Sequence, residues 1–329
     1  MPEFFADSTG KKYAKDFIKW KTYCDYFDIA TNSLTTVRAR RFIAWLARWY
    51  PHKTGEVIGR HLTGVTSMMA TLDIIWNRPR SITMLLTSLR KRRPVIRRPK
   101  RPWSIFHTKL TRKLAVTDFW QFACYAATLL GAGALMRISE FCKTSSKRSA
   151  LSLGQLDMRD REAYITIDYS KTNQFGRKEI INVPCLCSRH TKRLFGHIEV
   201  TPDICPFHVL RSFVHQRNAR FGTDPKLPLL LKSNGNPVNA KNLRVFMHSA
   251  IDAINAHLNI ALDPRHYPSH CLRVGGTTDY ARSGYKPHTI KTMGRWLSDL
   301  WQKTYMSHDF SDIALLSGLT TMLLREQAL

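Results

Sequence analysis

Apolar residues recur at steps of three and four through the first ninety positions. Tyr13, Phe17, Trp20, Cys24 and Phe27 form one stripe, and Ile58, Leu62, Val65, Met69, Leu72 and Trp76 form another. That period matches the helical turn, so each segment predicts an amphipathic helix and together they predict a small helical bundle. The opposite faces carry Lys11, Lys12, Lys15, Lys19, Lys21, Arg38, Arg40, Arg41 and Arg48, which by themselves read as a solvated surface.

The pattern stops between Arg90 and Arg101. There the chain is dominated by Arg and Lys, with Pro94 and Pro99 interrupting regular helix and no acid offsetting the charge. This predicts a basic linker over 91–112. Arg92, Arg93, Arg97, Arg98, Lys100 and Arg101 are its candidate contacts to a phosphate backbone. Such a stretch also serves as a nuclear import tag, or simply keeps two domains soluble.

Beyond it, the chain from Thr117 to about Phe141 predicts a long helix. Its uncharged core, Phe119 to Met136, sits at the short end of the ~20 residues a membrane span needs. It also includes Gln121, Gly131 and Gly133, so a buried helix is expected and no membrane contact.

Ala163, Ile165 and Ile167 then alternate with Tyr164, Thr166 and Asp168, predicting a strand over Tyr164–Tyr169. Asn173 to Gly176 supplies turn chemistry and Glu179 to Val183 returns, which reads as a β-hairpin. Leu243, Phe246, Met247, Ala250, Ile251, Ile254 and Leu258 mark the clearest later helix. The expected fold is mainly α with a small antiparallel β-sheet: a helical domain over 1–90, the linker, and a mixed α+β domain over 113–329.

Charge narrows the partner. The 51 Lys and Arg against 24 Asp and Glu leave a formal charge of +27, a field that favours a polyanion. A hydrophobic share of 43% excludes a mainly disordered basic tail, so the charge decorates folded domains and nucleic acid is the expected partner. The start lacks the basic and apolar segments of a secretory signal, and seven cysteines without regular spacing do not form a disulfide framework. A reducing compartment is expected.

Candidate chemistry lies in His270-Cys-Leu-Arg273-Val-Gly-Gly, Gly294-Arg-Trp296-Leu-Ser298 and Tyr305. A His and an Arg three apart share a helix face and can converge on one anion. Alone, such a pair is weak evidence. Here it is accompanied by Met136-Arg137-Ile138-Ser139-Glu140 at the end of the long helix, by Lys171 beside the hairpin turn, and by a tyrosine nine positions after Trp296.

In order and spacing these residues resemble the tyrosine recombinase family from about Thr117 to Tyr305, and a helical domain ahead of them matches as well. The wording Leu-Arg-Val-Gly-Gly-Thr-Thr and Gly-Arg-Trp-Leu-Ser-Asp is similar to recombinases of eukaryotic mobile elements, such as tyrosine-recombinase retrotransposons and crypton-like elements.

The resemblance implies a DNA strand transferase that closes around duplex DNA and cleaves it through a 3′-phosphotyrosine, with Tyr305 as nucleophile. A phenol with an ordinary pKa near 10 needs help to lose its proton. Arg137 and Arg273 would clamp the scissile phosphate, because a guanidinium pairs with two oxygens at once. Glu140, three residues after Arg137, would orient it. His270 would either accept the tyrosine proton or donate to a phosphate oxygen. The Trp296 indole can donate but cannot shuttle a proton. Lys171 is the candidate general acid, with Lys178 across the turn as its rival.

The resemblance also implies no cofactor, neither metal nor ATP. It implies double-stranded DNA with paired target sites as partner, a homotetramer on DNA, and a monomer or dimer when free. The compartment would be the nucleus in a eukaryote, otherwise the cytoplasm or nucleoid. A binding protein that has lost strand exchange and a type IB topoisomerase are the alternatives.

Two further clusters stand outside this set. Cys185, Cys187, His190, Cys205 and His208 invite zinc, but Cys-x-Cys-x-x-His is not the common paired-knuckle spacing, and Cys205-Pro206 simply opens a helix. No metal is expected there. The tail from Ser311 to Leu329 is rich in Leu, Ile and Met, either to cover its own core or to dock on a neighbouring protomer.

Overall fold

The computed structural model describes residues 7–95, 101–143, 150–168, 178–187 and 199–306. The chain divides into two units, up to Arg98 and from Pro99 onward.

The first unit packs four helices: α1 (Asp7–Tyr26), α2 (Thr36–Trp49), α3 (Gly55–Ala70) and α4 (Arg80–Arg92). The expected stripes supply its core. Trp20, Tyr23 and Cys24 meet Phe42, Ile43 and Leu46 of α2 and Ile58, Leu62, Val65 and Met69 of α3, with Ile82 and Leu86 of α4 closing the bundle. The side chains of Thr35 and Thr54 cap α2 and α3 by accepting the N–H groups of Arg38 and Val57. Phe27 and Leu72 were expected in the stripes but are exposed. Each lies just past its helix, where Asp28 and Asp73 adopt left-handed backbone (φ 50° and 58°) and turn the chain away.

Both ends of the expected linker belong to folded units. The Arg93 guanidinium donates to the Ala47 carbonyl at 3.0 Å, and its own carbonyl accepts the Gly55 N–H, so Arg93 closes the first unit. On the other side, the Arg101 N–H donates to the His266 carbonyl and the Trp103 N–H to that of Cys271. Helix α5 (Ile105–Ala115) follows, with Trp103 fully buried in the second core. Arg97, Arg98 and Lys100 lie outside the described residues.

The second core surrounds α6 (Phe119–Gly133), which is buried nearly all round and capped by Asp118 in a reciprocal box with Gln121. No helix among the described residues is long and apolar enough to cross a membrane. The expected continuation of this helix to Phe141 does not form. Leu135 takes φ 49°, the chain breaks, and a separate short turn, α7 (Ile138–Phe141), starts with Arg137 at its N-cap.

Three antiparallel strands follow in the order β1 (Leu156–Met158), β2 (Glu162–Ile167) and β3 (Glu179–Pro184). The hairpin alternation holds: Ala163, Ile165 and Ile167 are buried, and Ile165 pairs with Ile181 and Ala163 with Val183. Strand β2 ends two residues earlier than expected, and β1 has no strong alternation to announce it. The expected turn residues, 173–176, lie outside the described residues.

Helices α8 (Pro206–Phe221) and α9 (Ala240–Leu258) complete the core, the latter burying the predicted stripe from Leu243 to Ile254. Helices α10 (His270–Arg282), α11 (Pro287–Met293) and α12 (Leu300–Tyr305) carry the candidate chemistry.

Candidate active site

Helix α10, like α6, is enclosed on all sides: every residue from Cys271 to Tyr280 is buried. Two consecutive glycines make this packing possible. A Cβ on Gly275 would strike the Trp103 backbone, and one on Gly276 the Ala132 carbonyl, so the backbone of α10 lies directly against α6 and the segment entering α5. Its entry is held by His107, which is fully buried. Nδ1 accepts the Ser104 N–H at 3.2 Å, which leaves Nε2 to donate to the Tyr267 hydroxyl at 3.2 Å. Burial pulls the His107 pKa down to about 3, so it stays neutral.

This placement puts Arg273 in the interior at 1% exposure. Its Nη2 donates to the Gly294 carbonyl. Its guanidinium faces the Trp296 ring at 4.6 Å and the Tyr305 ring at 5.1 Å. Among the described residues, Nε and Nη1 have no hydrogen-bond partner, and neither does the buried Nε1 of Trp296. Burial first, and then the charge of Arg137, pull the Arg273 pKa down to about 9, so it remains a cation at neutral pH. A buried cation with unsatisfied donors is costly, and a bound anion offsets that cost.

Tyr305 ends α12. Its ring centroid lies 4.8 Å from that of His270 and 4.8 Å from that of Trp296, which in turn stacks on Trp301. Leu135, Tyr280 and Ile290 with Trp301 form the small apolar cluster against which Trp296 and Tyr305 pack.

Arg137 is held through Glu140. Its Nη1 lies 2.9 Å from Oε1, and its backbone N–H donates to Oε2 at 2.7 Å. The same Oε2 accepts from Arg295 Nη2 at 2.7 Å, while Arg295 Nη1 reaches Glu179 of β3 at 3.4 Å. Burial would raise the Glu140 pKa, but Arg295 and Arg137 together outweigh it and hold the carboxyl below its ordinary value.

His270, Arg273, Trp296 and Tyr305 therefore share one cluster, and Arg137 is near enough for its charge to act on Arg273. Lys171 lies outside the described residues; Lys178 is exposed immediately before β3. Of the basic candidates, Arg92 is exposed, Arg101 is half-buried, and Arg93 is engaged within its own unit.

Arg295 is the residue that sequence reasoning missed. It sits inside the quoted Gly-Arg-Trp motif, but its partner Glu140 is 155 positions away, and φ 55° at Arg295 is what turns its side chain and that of Trp296 to different neighbours. The arrangement offers a phenol beside an imidazole and an array of cationic donors with open valences. That is the equipment for transferring a phosphoryl or similar anionic group to a tyrosine.

No family model matches the sequence, and no curated protein does. Solved structures do. The Tn1549 transposon integrase in complex with circular intermediate DNA is 16% identical with a TM-score of 0.52, covering 87% of this chain and 85% of the other. The XerH site-specific recombinase bound to palindromic difH substrate is 12% identical with a TM-score of 0.57, covering 93% and 78%. A lambda integrase dimer bound to a COC′ core site is 11% identical with a TM-score of 0.56, covering 93% and 90%. The chain has the fold of the tyrosine recombinases, mainly helical with a small three-stranded antiparallel sheet.

Proposed function

We propose that this protein is a site-specific DNA recombinase that cleaves and rejoins strands through Tyr305. The observation that carries the proposal is the buried Arg273 guanidinium, with Nε and Nη1 unpartnered among the described residues, facing a tyrosine that also contacts His270. The Tyr305 oxygen attacks the scissile phosphorus as the bond to the 5′-oxygen breaks, leaving a 3′-phosphotyrosine and a 5′-hydroxyl. Arg137, Arg273 and Trp296 bind the non-bridging oxygens, where charge accumulates in the transition state. His270 lies beside the phenol and either takes its proton or donates to the phosphate; Lys171 protonates the departing oxygen. The linkage conserves the energy of the phosphodiester, so a second 5′-hydroxyl reseals the strand without ATP.

The solved relatives were determined on DNA, which supports DNA as partner here. The net charge of +27 supports it independently. Paired target sites, a tetramer on DNA, a nuclear setting and a role in mobile-element integration or excision complete the proposal. Phosphate contacts would come from the first unit and from Arg92, Arg93, Arg97, Arg98, Lys100 and Arg101.

The deciding experiment is trapping. The protein is incubated with nicked duplexes carrying candidate terminal repeats, and an SDS-stable protein–DNA band is sought beside Tyr305→Phe. A band lost only in the variant is the expected result. Tight binding of cognate DNA without a band would replace the proposal with a binding protein. Relaxation of supercoils without product from paired sites would replace it with a type IB topoisomerase.

A further inference from the structure

Outside the candidate active site, three cysteines and a histidine converge. Cys185 and Cys187 follow β3 directly, while Cys205 is the N-cap of α8 and His208 lies in its first turn. The ligand atoms of all four lie within 4.8 Å of one another. His208 Nδ1 is 3.6 Å from Cys185 Sγ and 3.5 Å from Cys187 Sγ.

The two sulfur–nitrogen distances fit a particular coordination shell. Zinc takes sulfur at about 2.3 Å and imidazole nitrogen at about 2.0–2.1 Å, so the edges of its tetrahedron are ~3.5 Å for S···N and ~3.8 Å for S···S. Both observed S···N distances match. The Leu186 N–H donates to Cys205 Sγ at 3.2 Å, the kind of bond that steadies a thiolate bound to metal.

The other four cysteines provide a contrast. Cys24, Cys124, Cys142 and Cys271 are all buried, as is Cys205, whereas Cys185 and Cys187 are half-buried. A site beside solvent gives a metal its route in. The spacing that argued against zinc in the sequence is resolved by the fold. Cys205 and His208 are three apart on one helix face, and the end of β3 brings up the Cys-x-Cys pair opposite them.

We propose that Cys185, Cys187, Cys205 and His208 form a structural zinc site joining the end of β3 to the start of α8. Three thiolates and an imidazole are soft and borderline ligands that select zinc over magnesium or calcium, and four protein ligands leave no open position for catalysis. Binding releases the thiol protons to solvent and leaves the cysteines as thiolates. The positive end of the α8 dipole favours that charge at Cys205. The site anchors the strand whose opposite end supplies Glu179 to Arg295, so it steadies the side of the candidate active site that β3 contributes. It does not depend on the proposed recombinase activity.

The test uses the full chain, purified under reducing conditions without chelator. Elemental analysis is expected to find one zinc per chain. Replacement by Co²⁺ is expected to give the intense visible bands of a tetrahedral site and a sulfur-to-cobalt charge-transfer band. Cys187→Ser and His208→Ala lose the metal, whereas His257→Ala, on the exposed end of α9, keeps it. Stripping the metal lowers the melting temperature, and restoring zinc recovers it. Folded, reduced wild-type protein with far less than one zinc and no cobalt spectrum would overturn the proposal. So would a disulfide joining any two of the three cysteines in peptide mapping, because it removes two ligands at once. Neither readout relies on the variants folding, since both are made on the wild-type chain.

Discussion

Arg295 donates to Glu140 at 2.7 Å across 155 positions of sequence, and the same carboxylate receives Arg137 at 2.9 Å. One buried anion thus sets the positions of two guanidiniums, one on the turn before Trp296 and one at the head of α7.

Arg295 is therefore a positioning residue. Arg295→Ala leaves Glu140 with half its compensation, and breaking a buried pair typically costs ~3–5 kcal/mol. The second unit should lose stability, and cleavage in single-turnover assays should fall further than DNA affinity. Adding Glu140→Gln should recover stability but not cleavage, since Arg137 then has one neutral acceptor in place of the two charged oxygens that fix it. Recovery of both in the double variant would count against positioning.

Arg273→Lys should lower the rate of covalent-complex formation by on the order of 10²–10³, as for loss of one preorganised donor. An ammonium has three donors but no planar fork, so it cannot hold the Gly294 carbonyl and at the same time present paired, coplanar donors to a phosphate. DNA affinity should change little, because it is spread over many phosphates. The check is single-turnover trapping at saturating DNA, beside a binding isotherm.

Gly276→Ala places a methyl group against the Ala132 carbonyl, backbone that cannot swing aside, and beside the Leu135 side chain. Overpacking of this kind costs about 1–3 kcal/mol or more. Thermal unfolding should show the transition of the second unit at lower temperature and that of the first unchanged.

Asp279 gives a pH signature. Burial raises its pKa to about 7, against the opposing effects of the Ile105 N–H and Arg282. Between pH 4 and 7 the folded state holds a proton that the unfolded chain has released, so this group's contribution to stability falls as pH rises through that window. Asp279→Asn does not titrate and keeps an acceptor for Ile105. Its stability relative to wild type should rise from pH 4 to 7 and level off above. Melting temperatures measured across that range check the sign; a difference that is flat or falls would contradict it.

Binding to DNA should weaken steeply with salt, because displaced counterions dominate the affinity of a chain with charge +27. A shallow slope of log affinity against log salt would contradict phosphate-driven binding.

Much of the fold was legible from periodicity. The stripe from Leu243 to Ile254 and the alternation from Ala163 to Ile167 describe faces that each bury one side, and local spacing encodes such faces directly. Helix α6 was legible only as apolar, because an element buried all round has no face; its end at Leu135 depends on a backbone conformation that side-chain pattern does not record. The motif residues His270, Arg273, Trp296 and Tyr305 could be marked individually by their order along the chain. Lys171 was marked in the same way and falls outside the described residues.

By itself, then, the sequence determined which segments are amphipathic, that a strongly basic chain has a core, and which side chains can bind an anion. These are properties of composition and near-neighbour spacing. Only the tertiary structure decided what those side chains meet: Glu140 between Arg137 and Arg295, two glycines letting α10 lie against α6, and three cysteines and a histidine drawn together from β3 and α8. Contacts between distant positions arise from how the elements pack, and no local period along the chain records them.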